Sequence, residues 1–120
     1  MSKNIDTAAI IAGHEAWIQE LKEPKSSKRQ ENPERYKPEK ASADNLCPLG
    51  VFLYGEGKQY EASPEYAALL KAHAEFHLCV GKILSYQEVA RFLDATEALR
   101  EEMPILSQRV KENVLAFAAA

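Results

Sequence analysis

The chain has 120 residues, 46% hydrophobic and 28% charged, the composition of one ordinary globular domain. Its formal net charge of −3 argues against nucleic acid as a partner, because phosphate binding calls for a basic patch. No apolar run is long enough to span a membrane, the start Met1 to Thr7 lacks a signal-peptide pattern, and two cysteines do not make a disulfide framework, so the expected setting is the cytoplasm.

The first predicted helix starts at Asp6, a good N-cap, and runs to about Lys22, ahead of Pro24. Its apolar stripe is Ile10, His14, Trp17, Ile18 and Leu21. Residues 22–44 differ in kind. Charged side chains crowd them together with Pro24, Pro33 and Pro38, and only Tyr36 is strongly apolar. They read as a long charged loop inside a single domain of residues 1–120, either a solvated linker or a partner-binding loop. A short helix follows over Pro48 to Tyr54, opened by Pro48 and closed by Gly55 and Gly57, with Cys47 at its start. The next helix opens at Ser63-Pro64-Glu65 and runs to Gly81 or a few residues beyond. Its stripe is Tyr66, Leu69, Leu70, His73, Phe76, His77 and Val80. The last segment carries a 3–4 repeat through Val89, Phe92, Thr96, Leu99, Met103, Leu106, Val110, Asn113 and Phe117. The phase holds across Pro104 and predicts one long helix kinked at the proline. No strand-like alternation occurs. The expected fold is all-α, an antiparallel four-helix bundle with one short helix carrying a cysteine.

All three histidines fall on apolar stripes, and a stripe covering three positions in seven would collect all three by chance only about once in 12. His73 and His77 are one helical turn apart, so their rings converge on one point, and His14 offers a third nitrogen. Burying imidazoles without partners is costly, and a metal removes that cost by using one lone pair from each. Structural zinc is tetrahedral with nitrogen and sulfur donors, which asks for a fourth ligand. Cys79 lies about 160° around its helix from His77 and reads as a packing residue. Cys47 sits at a helix start, where the positive end of the dipole favours a thiolate, and is the better donor. A di-iron site would need core glutamates and covalent haem a C-x-x-C-H run; the stripes carry no carboxylate and the sequence has no such run. If Cys47 did not coordinate, His14, His73 and His77 would form an open catalytic zinc site, with Glu75 or Glu15 as candidate bases. A zinc-stabilised dimerisation module is the other alternative.

The stretches His14-Glu15-Ala16-Trp17, Cys47-Pro48-Leu49-Gly50-Val51-Phe52-Leu53-Tyr54-Gly55-Glu56-Gly57, Ser63-Pro64-Glu65-Tyr66 and His73-Ala74-Glu75-Phe76-His77 resemble the chemoreceptor zinc-binding (CZB) family of bacteria. The resemblance covers most of Ile10 to Gly81. It implies a helical bundle, Zn2+ held by His14, Cys47, His73 and His77, a homodimer, and a sensory role in response to zinc or oxidants. Phe52 stands where that family often has tryptophan, and the stretch between His77 and the last helix is short. Such domains are usually attached to chemoreceptors or diguanylate cyclases. No output domain is present here, so the chain is expected either to act on a signalling partner in trans, as a free-standing domain, or to be a fragment of something larger. The expected function is regulatory and not enzymatic.

Overall fold

A computed structural model describes residues 5–120. Part of the polar start that carries no signal-peptide pattern, residues 1–4, lies outside the described residues. The described chain contains α-helices and 3-10 turns and no strand, which agrees with the all-α expectation. The helices are more numerous than the four expected: α1 (Thr7–Leu21), α2 (Ser27–Glu31), α3 (Pro38–Ala41), α4 (Pro48–Tyr54), α5 (Pro64–Glu88), α6 (Phe92–Glu101) and α7 (Met103–Ala119), with 3-10 turns at Pro33–Tyr36 and Glu56–Tyr60.

The central element is α5. Ser63 caps its start, its hydroxyl accepting from the Tyr66 N–H at 3.1 Å, and Pro64 occupies the first position, where a missing N–H leaves nothing unsatisfied. The face that carries Tyr66, Leu69, His73, Phe76, His77, Val80, Ile83 and Leu84 is buried, and α1, α3, α6 and α7 pack around this helix. Asp6 caps α1 by accepting from the Ala9 N–H at 3.0 Å, and His14, Trp17 and Leu21 are buried on it. The short helix α4 has the expected bounds, with Cys47 as its N-cap.

Gly81 does not end α5. A β-carbon placed there would meet the Ser42 side chain at 2.5 Å, so the glycine is where α3 lies against the helix. The helix stops seven residues later, at Glu88, in a Schellman motif. The Arg91 N–H donates to the Tyr86 carbonyl at 2.8 Å and the Ala90 N–H to the Gln87 carbonyl at 3.2 Å. Ala90 adopts the left-handed conformation this motif requires, φ 61°, in place of the usual glycine.

Two expectations are corrected. The last segment is two helices, interrupted at Glu102, because Pro104 has no N–H for the Arg100 carbonyl and its ring crowds that turn. The interruption resets the phase. In α7 the expected Met103, Val110 and Phe117 are buried, whereas in α6 the buried positions are Ala95 and Ala98, and Phe92 is 51% exposed. Residues 22–44 are the second correction, since α2, a 3-10 turn and α3 fill most of them. Ser26 caps α2, and Pro33 and Pro38 each open the next short element with a pre-set φ.

Ala90 pays the left-handed penalty without glycine's freedom. Ala90→Gly should raise unfolding stability by about 0.5–1 kcal/mol, read as a shift in urea midpoint at unchanged slope.

Candidate metal centre

The two histidines of α5, His14 of α1 and the N-cap cysteine of α4 meet in the core. One donor atom from each of His14, Cys47, His73 and His77 lies within 4.8 Å of the other three, a grouping able to hold a metal ion. The histidine side chains are buried, and Cys47 is half-buried. Ring centroids are 4.5 Å apart for His73 and His77, 5.1 Å for His14 and His73, and 5.6 Å for His14 and His77. Phe76 packs edge-on against His14 and His77 and dries one wall.

Hydrogen bonds fix two of the three tautomers. His14 Nδ1 lies 2.8 Å from the Ile10 carbonyl and His77 Nδ1 lies 2.9 Å from the Ala41 carbonyl. A carbonyl only accepts, so each Nδ1 carries the proton and each Nε2 is a bare lone pair. Both Nε2 atoms are buried without a partner. His73 turns Nε2 to the Cys47 sulfur at 3.1 Å and leaves its buried Nδ1 unpartnered. Two donors of one tetrahedral zinc, at the usual Zn–S and Zn–N lengths, stand about 3.5 Å apart. The cluster therefore fits the ion: two orphaned lone pairs, a sulfur, and a third ring already in contact with that sulfur.

Charge agrees with this. Burial holds all three imidazoles below the ordinary histidine range, and His73, also facing the other two rings, is pushed down to about 2. The rings are neutral at neutral pH, as metal donors must be. For Cys47 the helix-start expectation is the smaller effect. Its sulfur accepts from the Gly50 N–H at 3.4 Å, yet burial outweighs this and pushes the thiol up. A cation is what would make it a thiolate.

The other sequence candidates fall elsewhere. Cys79 is buried outside the cluster, its thiol raised to about 11 by burial first. Glu75 faces Arg109 at 3.6 Å, Glu15 is exposed, and neither belongs to the cluster. Sequence reasoning missed the two carbonyls. Ile10 stands one turn before His14 and was readable from helical spacing; Ala41 lies far along the chain and was not. A cavity of about 260 Å3, bordered by Trp17, Arg35, Ala41, Leu46, Cys47 and His77, opens beside the cluster.

A buried His3Cys grouping in an all-α domain defines a zinc-binding helical module. The model of the chemoreceptor zinc-binding domain family matches residues 14–84, which include all four clustered residues, and the chain belongs to that family. No curated protein and no solved structure matches it. The protein is a zinc-binding signalling domain and its cofactor is Zn2+. Among the described residues no helix is long and apolar enough to cross a membrane.

Folded-state histidine pKa values below the unfolded 6.5 fix the sign of a pH effect. Stability from the neutral rings is fully present above about pH 6.5. It is lost as pH falls, because the unfolded chain takes up protons that the folded chain refuses. His73 alone should cost roughly 2 kcal/mol between pH 6.5 and 5. The urea midpoint of metal-free protein should fall steadily from pH 7.5 to 5; a flat profile would show that the rings can be protonated in place.

Proposed function

We propose that the chain senses zinc availability or oxidants through Zn2+ held by His14, Cys47, His73 and His77, and passes the state of that site to a signalling partner. The observation that carries this reading is the convergence of two fixed, orphaned imidazole lone pairs, a third ring and a thiol within 4.8 Å. When bound, the ion would cross-link α1, α4 and α5 and hold the Cys47 sulfur as a thiolate. Four donors from the protein leave no open position for a substrate, which supports a regulatory and not a catalytic role.

Cys47 is the donor suited to switching. It is the only half-buried one of the four and borders the cavity beside the cluster. A peroxide entering there would meet the sulfur. The S–O bond forms as the O–O bond breaks, hydroxide leaves, and Cys47 becomes a sulfenic acid. That group is a poor zinc donor, so α4 loses its tie to α1 and α5. The exposed side chains of Leu46, next to Cys47, and of Val51 and Tyr54 on α4 form the surface a partner would read. The proposed assembly is a homodimer in the cytoplasm, where thiols remain reduced.

Elemental analysis of protein purified without a histidine tag should give one zinc per chain. Cys47→Ala should weaken zinc by more than 100-fold, beyond the loss typical of an outer-shell partner. Peroxide should release zinc from the native chain, read with a chromogenic chelator, and release should track sulfenic acid at Cys47. Native protein without stoichiometric zinc would refute the ligand set, and full zinc retention by Cys47→Ala would move the site to three histidines.

A further inference from the structure

The charged segment between α1 and α4 is built around one carboxylate. Glu20, on α1, is 9% exposed. Arg35 grips both of its oxygens, Nε at 3.1 Å and Nη2 at 3.4 Å, and the Tyr36 hydroxyl donates to Oε1 at 2.5 Å. Lys28 approaches at 3.6 Å, and Arg29 Nη2 donates to the Glu20 backbone carbonyl at 3.0 Å. Arg35 also lies over the Trp17 ring at 4.1 Å. A buried, bidentate, multiply hydrogen-bonded carboxylate is a far stronger anchor than an exposed pair.

What this anchor holds is close to the metal centre. Arg35 and Tyr36 end the 3-10 turn, and Lys37 leads directly into α3, whose last residue is Ala41. The Ala41 carbonyl is the acceptor that fixes the His77 tautomer. One turn beyond His77 on α5, α3 also leans on Gly81, where Ser42 and the Pro38 carbonyl leave no room for a β-carbon.

We infer that Glu20, with Arg35 and Tyr36, is a positioning residue for the zinc ligand His77: the cluster sets the place of α3, and through the Ala41 carbonyl it sets the orientation and protonation of the ring. This rests on the assignment of His77 as a ligand. Outer-shell acceptors orient ligating imidazoles and raise their basicity, and their loss typically weakens metal binding 10–100-fold. Because coupling is reciprocal, zinc on His77 must in turn hold the charged segment down.

The 120-residue chain tests both directions. Tyr36→Phe and Glu20→Gln should each speed zinc transfer to a chromogenic chelator about 10-fold, and 15N imidazole spectra of the metal-free variants should lose the single Nδ1–H form of His77. Gly81→Ala should do the same while leaving the Glu20 cluster intact, since it displaces α3 at its contact with α5. In native protein, which needs no variant to fold, zinc removal should speed amide exchange over residues 27–43. Unchanged zinc release and an unchanged His77 tautomer in Tyr36→Phe and Glu20→Gln would overturn the inference, and so would amide exchange over 27–43 that ignores zinc. Both results leave the ligand set standing. Native protein with no stoichiometric zinc would overturn the ligand set and this inference together.

Discussion

The structure depends on one constraint: imidazole rings and a thiol have been gathered at one point in a small core, and their polar atoms have to be met. A 120-residue chain has a modest core, so a point where nitrogen and sulfur replace packed methyl groups is expensive unless something occupies the lone pairs. Each surrounding element answers to that point. The long helix α5 supplies two rings in successive turns, α1 a third, and α4 begins at the sulfur. Backbone carbonyls from Ile10 and Ala41 then take the protons on the far sides of two rings, which leaves their other nitrogens free to point inward.

The parts of this that were legible in the sequence are the parts governed by local rules. Asp6, Ser63 and Pro48 mark helix starts by cap chemistry, and each helix begins there. The four residues that meet in the cluster were legible because three histidines shared apolar stripes and a proline followed the cysteine. The stop of α5 was not, since Ala90 gives no sign that it will take a left-handed conformation. Gly81, which does look like a stop, serves instead as a place for another helix to approach. The stripe of α6 was misjudged for a related reason: spacing favoured large residues, whereas Ala95 and Ala98 face inward and allow close packing.

The charged stretch was the least legible, and the reason is physical. Its composition is that of a segment that cannot bury enough apolar surface to order itself. Its order comes from a partner outside the stretch, Glu20, which sits on α1 beside the apolar stripe. From sequence Glu20 looks like any solvated helical carboxylate. Only when the chain returns does it acquire an arginine fork, a tyrosine hydroxyl and a lysine. A long-range polar contact of this kind has no period and no motif, so pattern reading passes over it.

Chain entropy gives the donor order a further meaning. His14 and Cys47 stand on either side of the charged segment, so a shared centre would make that segment a closed loop whose ends are held together. Doubling the length of a flexible loop adds only about 0.6 kcal/mol to the cost of closing it. The centre therefore places little demand on how long the segment is or what else it contains. The demand falls on the few residues that pin it, and the rest of the segment is free to acquire other sequences without disturbing the four donors.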